Sequence, residues 1–325
     1  MDLKGRAFYN LLRETWLENP SLEVYSWQVE DYRQLSDKIL WKKLKDLKAP
    51  LTKAAFLAHA ETYDNPEDLA IFLADGNEEI REPLYLLIFE IWRREFPHRP
   101  TLSIFCDELD RLITLHDRKE LEDYSPIETI LGDLEKILDD SVDGGMPPQE
   151  AFSLIGDFCA HDVESFLYDY LAEIINKEEE LAASEWLEGF YDYMQDRRWF
   201  DFLRTRLLSL SNRQKGDDQL IQLLESLQED PDLDLSLEIT AALAKEGDPL
   251  LFRRAILQCL DCIETEEDFQ DLLAIAASYH RCLDQEAQET ALENLFAKRS
   301  HHPLTSPFNR SDADVKILLE NLYIS

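Results

Sequence analysis

The chain has 325 residues, which is enough for one or two domains that each bury a core. It contains 54 Leu but only 5 Val and 9 Gly; because β-branched residues favour strands and unbranched side chains favour helices, this composition predicts an all-α protein. Its 68 acidic residues outnumber 33 basic ones and give a formal charge of −35, which argues against nucleic acid and anionic membranes as partners and favours basic proteins.

The charge is unevenly distributed along the sequence. The first 60 residues carry 10 basic and 8 acidic side chains and sum to +2. The remainder carries 23 basic and 60 acidic side chains and sums to −37. A field of this sign steers basic segments toward the later part of the chain. The same charge also confers solubility, which is the simpler explanation for it.

Three features predict a soluble protein of the cytoplasm. Five Cys is an odd number, which argues against a disulfide framework and fits a reducing compartment. The N-terminal residues MDLKGRAFYN lack the apolar core of a signal peptide. Charged residues interrupt every apolar run before the roughly 20 residues that a membrane-spanning helix needs.

The first distinctive segment is SDKILWKKLKDLK, residues 36–48. At helical spacing it places Lys38, Lys42, Lys45 and Lys48 near one another, with apolar residues on the opposite face. One interpretation is that these lysines balance a neighbouring acidic helix. The alternative is a docking patch for an acidic partner or for self-association.

Helical signals continue through the first half of the chain until a break near residue 144. Asn65-Pro66-Glu67-Asp68 combines an N-cap, a proline at the first helical position and acidic residues beside the positive helix end. The segment DDSVDGGMPP, residues 139–148, has two Gly and two Pro close together and therefore predicts a boundary. We expect an N-terminal helical lobe over residues 1–143 and a C-terminal helical-hairpin lobe over 146–325.

The triplet Arg197-Arg198-Trp199 is a second candidate for partner binding. Arginine and tryptophan side chains are enriched at the most important positions of protein interfaces. Aromatic residues between two helices are, however, more often part of the core.

In the second half, helices are expected to begin near Asp217, Asp234, Asp248, Thr265 and Asp284. This spacing predicts two helices in each 30 to 35 residues, as in a stack of helix hairpins or α-solenoid. The turn EDPDLDLSLE, residues 229–238, has the alternating acids of an EF-hand loop but Leu and Ala where that loop requires Gly and Glu. We interpret it as a turn in which Pro231 ends one helix and Asp234 or Ser236 caps the next.

Two groups of residues raise the question of a metal site. Cys259, Cys262, His280 and Cys282 have zinc-like spacing, but the first pair falls inside a helix, whereas a zinc knuckle usually occupies a tight turn. The sequence therefore favours buried structural cysteines, and we expect neither a metal nor a cofactor.

The second group suggests an enzyme of the HD metallohydrolase type. His116-Asp117 and His161-Asp162 are His-Asp dipeptides, and His116, His161, Asp162 and Asp217 would form a metal-ligand set. With 68 acidic residues in the chain, such sets arise easily, and Asp162 is also well placed as an ordinary helix cap.

Three segments resemble HEAT repeats, over about a third of the chain. LIQLLESLQEDPDLDLSLEITAALAKEG, residues 220–247, has an apolar helix, an Asp-Pro-Asp turn and an Ala-rich second helix. GDPLLFRRAILQCLDCI, residues 247–263, is similar to the second half of another repeat, and residues 65–92 match more loosely. The resemblance implies a scaffold whose concave face binds another protein.

These observations together predict a non-catalytic scaffold or adaptor that binds a protein with a basic segment. An acidic chaperone for a basic client is the principal alternative. An HD-like metallohydrolase and a self-assembling structural unit are the others.

Overall fold

The computed structural model describes residues 3–47, 51–246 and 248–322. Within these ranges the protein is all-α, as predicted, with 17 α-helices, one 3-10 turn and a single isolated β-bridge instead of a sheet. The helices are α1 Ala7–Glu18, α2 Asp37–Asp46, α3 Lys53–Ala60, α4 Pro66–Ala74, α5 Glu78–Glu95, α6 Leu102–Asp117, α7 Ser125–Asp143, α8 Pro148–Phe158, α9 Val163–Asn176, α10 Glu180–Tyr191, α11 Arg197–Ser211, α12 Arg213–Glu229, α13 Leu233–Glu246, α14 Pro249–Cys262, α15 Glu266–Cys282, α16 Glu286–Arg299 and α17 Ala313–Leu322. The 3-10 turn is Tyr32–Gln34.

The chain divides into two compact units. Unit 1 comprises the residues up to Tyr170 together with Glu188–Gln195, and unit 2 comprises Leu171–Leu187 together with the residues from Asp196 onward. The division therefore differs from the one expected at Gly144-Gly145, which lie in the short turn between α7 and α8, both within unit 1. These two helices pack against each other, so the glycines make a hairpin turn here.

Helix α5 is the centre of the unit 1 core. Its apolar face, which includes Leu84, Ile88 and Trp92, is buried. Glu90 on the same helix is also fully buried and accepts hydrogen bonds from Arg93 and Arg94. Helices α2 and α4 pack against α5. A helix that is buried over most of its circumference forms the interior of its unit.

Unit 2 contains helices packed in hairpin-like pairs, as predicted. Helix α11 packs on α12, α13 on α14, and α15 on α16. Two predicted starts are confirmed: Asp248 caps α14, and Thr265 forms a capping box with Asp268 at α15. The apolar face of α14, which includes Phe252, Ile256 and Cys259, is buried.

Other predicted helix boundaries in unit 2 are shifted. Helix α12 begins at Arg213, earlier than the expected Asp217, because the Asn212 side chain accepts a hydrogen bond from the backbone N–H of Lys215. Helix α13 is capped by Asp232, whose Oδ1 accepts from the N–H of Leu235 at 3.0 Å. The predicted caps, Asp234 and Ser236, instead lie within that helix.

Candidate functional site

The predicted lysine patch lies on α2. Lys38, Lys42 and Lys45 are exposed, and none has a carboxylate oxygen within salt-bridge distance in the described ranges, whereas the neighbouring Lys43 pairs with Glu30 at 2.8 Å. Lys48 lies outside the described residues. The charges of these three lysines are therefore not neutralised by neighbouring side chains. Their role in docking a partner stays a prediction.

The Arg197-Arg198-Trp199 segment begins α11, and all three side chains are half-buried. The Arg198 guanidinium forms ion pairs with Asp196 at 2.5 Å, with Asp230 at 3.1 Å and with Asp232 at 3.5 Å. These contacts tie the start of α11 to the EDPDLDLSLE turn. Arg198 therefore has a structural role, and partner binding by this segment stays a prediction.

The cysteine and histidine set does not form a cluster of metal ligands. Cys259 is buried with its Sγ atom 3.4 Å from Thr240 Oγ1, and burial raises the pKa of its thiol to about 12. His280 is buried with its Nδ1 2.6 Å from Gln285 Oε1, whereas Cys282 is exposed. Throughout the described ranges, no three His, Cys, Asp or Glu side chains have a geometry that could hold a metal ion.

The residues of the proposed HD set have separate environments. His116 packs against aromatic rings that include Phe166, and Asp162 accepts hydrogen bonds from backbone N–H groups at the start of α9. Asp217 belongs to unit 2. His161 is the one member that lies beside a concave site.

This site is a cavity of about 650 Å³ in unit 1, which we call the arginine cavity. It is lined by α1, the 3-10 turn and the polar stripe of α6. That stripe recurs at three- and four-residue spacing and consists of Asp107, Asp110, Arg111, Thr114 and Arg118. Residues at this spacing share one helix face, so the helix presents the stripe to the cavity while its apolar face enters the core. Four arginines from other parts of the chain also line the cavity: Arg6, Arg13, Arg33 and Arg93.

Asp107 organises the charges at one end of the arginine cavity. Its carboxylate is 3 % exposed and lies 2.5 Å from Arg33 and 3.2 Å from Arg6. Asn10 donates a further hydrogen bond at 3.1 Å. Burial alone would raise the pKa of Asp107, but the two guanidinium charges and the hydrogen bonds outweigh it and lower the pKa. Asp107 is thus a fixed negative charge shared by two cations.

His161 lies behind the lining of the cavity, where it contacts two of the lining carboxylates. Its Nδ1 is 3.2 Å from Asp110, its Nε2 is 3.7 Å from Glu14, and Nε2 is also 3.4 Å from the Thr114 hydroxyl. Burial lowers the pKa of His161, but the hydrogen bond and charge of Asp110, with Glu14, raise it overall. The Thr114 hydroxyl lies 2.9 Å from Glu14 Oε1 and 2.9 Å from the backbone oxygen of Asp110, and either can accept its proton.

A second concavity, the α6–α7 groove, adjoins the arginine cavity. It has a volume of about 950 Å³ and an apolar floor that includes Ile104, Phe105, Leu112 and Ile130. One face of α7 forms its wall through Pro126, Thr129, Asp133, Lys136 and Asp140. Arg93, Glu108 and Arg111 border both the groove and the arginine cavity.

Sequence patterns did not predict these two sites. The sequence of α6, LSIFCDELDRLITLHD, did contain a signal for the arginine cavity. Its carboxylates and Arg111 recur at helical spacing, on the opposite face from its apolar residues. Arg6 and His161 are distant from this stripe in sequence, so only the folded chain brings them to it.

Comparisons of the chain with protein-family models, with curated proteins and with solved structures give no match. Among the described helices, none combines the length and apolar character needed to cross a bilayer.

Proposed function

We propose that the protein is a non-catalytic interaction scaffold that binds a basic, amphipathic segment of a partner protein in the α6–α7 groove. The observation that carries this proposal is an apolar floor beside a wall, formed by α7, that presents the two carboxylates of Asp133 and Asp140. The five cysteines of the chain are unpaired thiols, which supports action in the reducing cytoplasm.

The shape of the groove fits a helical segment. The residues of α7 that line it extend from Ser125 to Asp140, which corresponds to about 22 Å at 1.5 Å per residue. A partner helix of about 14 residues has this length. Its apolar residues would contact Ile104, Phe105 and Ile130, as in other complexes in which an amphipathic helix occupies a groove.

The charge of the groove wall indicates a basic partner. Helix α7 carries six carboxylates and a single lysine, Lys136, and two of these carboxylates and the lysine line the groove. Asp133 and Asp140 are exposed and line the groove. Acidic residues beside an apolar floor attract lysine and arginine on the polar face of an amphipathic helix and repel acidic competitors.

The helix hairpins of unit 2 support the scaffold proposal in a different way. Stacked hairpins are the structural unit of HEAT-like repeats, and we infer that residues 220–263 are of this type. Extended helical-repeat surfaces bind proteins by area and charge complementarity.

Fluorescence anisotropy with a labelled model peptide tests this proposal. The probe is a 14-residue helix of Leu and Lys at amphipathic spacing, and the control peptide replaces every Lys with Glu. Asp133→Lys should weaken binding of the basic peptide by about fivefold at low salt, as expected for loss of an exposed charge interaction. Raising the salt concentration should reduce the difference.

Glu128→Lys is the matched control because Glu128 is an exposed acid on the same helix that does not line the groove. It makes the same change in net charge, so non-specific attraction to the acidic protein would respond equally to both variants. Equal effects of the two substitutions, or equal binding of the acidic peptide, would contradict the proposal.

A further inference from the structure

The arginine cavity has an excess of hydrogen-bond donors over acceptors at one end. Arg6, Arg33 and Arg111 share two carboxylates, those of Asp107 and Glu108. Arginine cannot be deprotonated in a protein, so all three charges persist. One positive charge of this group is therefore not neutralised by its own ion pairs.

Arg6 shows the imbalance most clearly. Its side chain is 7 % exposed and forms one ion pair, from Nε to Asp107 at 3.2 Å. Neither Nε nor Nη1 has a hydrogen bond of acceptable geometry in the described part of the chain. The guanidinium also lies 5.3 Å from the centre of the Phe89 ring, which fixes its position without supplying an acceptor. A buried guanidinium with unmet donors is costly unless another acceptor is provided.

Arg6, Arg33 and Arg111 all line the cavity, and their excess of positive charge beside this open space indicates an anionic ligand. We propose that the arginine cavity binds a small phosphorylated polyol, with its phosphate at the end formed by Arg6, Arg33 and Arg111. The planar guanidinium matches the oxygen geometry of a phosphate, and charge-assisted hydrogen bonds of this kind are stronger than neutral ones. This proposal does not depend on peptide binding in the α6–α7 groove.

The rest of the lining suits hydroxyl groups. Glu14, Asp31 and Thr114 supply oxygen atoms, and Asn10 supplies an amide. Among the described residues that line the cavity, Leu115 is the only apolar one. An aromatic or aliphatic ligand would leave these groups without partners, which is unfavourable. The hydroxyl groups of a polyol can donate to the carboxylates and to the amide oxygen of Asn10.

The size of the cavity excludes a bare anion as the best ligand. Its volume of about 650 Å³ is within the range of small-molecule sites, about 300 to 1,000 Å³. Inorganic phosphate would contact the arginines but leave most of this volume unfilled. A phosphate ester of three to six carbon atoms would contact both ends of the cavity.

Isothermal titration calorimetry with defined probes tests the proposal. The probes are the terminal phosphate esters of glycerol and of glucose, inorganic phosphate, and unphosphorylated glucose, all at equal ionic strength. We expect saturable binding of at least one ester, about tenfold or more tighter than that of inorganic phosphate, and no binding of glucose. Failure of both esters to bind, or inorganic phosphate binding as tightly as either ester, would overturn the proposal.

Matched arginine variants locate the site. Arg111→Gln should weaken binding of the ester by about tenfold or more. Arg6→Gln should have the same effect if this variant folds. The control is Arg81→Gln, because Arg81 also pairs with a glutamate three residues earlier and is similarly exposed, 46 % against 40 % for Arg111, yet lies outside the cavity. If Arg6→Gln fails to fold, the affinity of Arg111→Gln alone tests whether the ester binds in this cavity. If the Arg111→Gln and Arg81→Gln proteins bound the ester with equal affinity, the arginine cavity would be excluded as the ester site.

Discussion

Replacement of Asp107 by Asn probes the charge network on which the arginine cavity depends. The substitution retains the shape of the side chain but removes the negative charge that lies 2.5 Å from Arg33 and 3.2 Å from Arg6. The carboxylate is 3 % exposed, and without it the buried Arg6 and the half-buried Arg33 lose their shared counter-ion. Breaking a buried ion pair in this way costs about 3–5 kcal/mol.

This cost is large compared with the stability of a typical domain, about 5–15 kcal/mol. With a urea dependence of about 2 kcal/mol per M, Asp107→Asn should lower the unfolding midpoint by about 2 M. Far-UV circular dichroism in urea measures the midpoint. Hydrogen exchange of peptides from α1 and α6 shows whether the loss occurs in unit 1, which matters because the two units need not unfold together.

Asp37→Asn is the matched control for this experiment. Asp37 pairs with Arg94 at 2.6 Å in the same unit, but its side chain is 66 % exposed. An exposed pair contributes about 0–1 kcal/mol, so the control should stay close to the unmodified protein. If Asp107→Asn were no more destabilising than Asp37→Asn, the inference that Asp107 neutralises buried cations would be wrong.

Two further predictions concern titration and unit 2. The pKa of His161 is raised in the folded protein. Its contribution to stability is therefore complete below the unfolded pKa of about 6.5 and is lost as the pH rises through the folded pKa. The urea midpoint should depend on pH across this window, and His161→Gln should remove that dependence. Arg299 is 5 % exposed and pairs with the buried Glu266 at 2.5 Å, so Arg299→Met should cost about 3 kcal/mol in urea unfolding. The exposed ion pairs of Arg281 make Arg281→Met the control, with no measurable change expected.

Local signals in the sequence account for most of the fold that was predicted correctly. The excess of Leu over Val predicted helices, and the caps Asn65, Asp248 and Thr265 placed three helix starts, because a cap acts within one turn of its own residue. The predicted boundary at Gly144-Gly145 differs from the observed division because glycines report a local turn. Which unit a helix joins depends on its distant contacts, which no local pattern contains.

The candidate site was harder to predict for the same reason. Asp110 hydrogen-bonds to the backbone N–H groups of Ala160 and His161, 50 and 51 residues later, and to Asn10, 100 residues earlier. The sequence singled out His161 only as part of a metal-ligand set. Its partners, Glu14 and Asp110, become neighbours through packing of α1 and α8 against α6.

The arginine cavity and the α6–α7 groove share a border, so their occupants should influence each other. Glu108 lies 2.7 Å from Arg33 and 2.5 Å from Arg111. A phosphate ester bound beside these arginines adds negative charge next to the groove, which should tighten binding of the basic model peptide by about fivefold, a typical coupling between sites.

Because coupling between two binding sites is reciprocal, the peptide must tighten binding of the ester by the same factor. Titration of each ligand in the absence and presence of the other measures both factors. Unphosphorylated glucose is the control for any effect that does not depend on charge. Affinities that are unchanged in both directions would show that the shared arginines do not transmit charge between the two sites, whereas unequal factors would show that the ligands bind elsewhere as well.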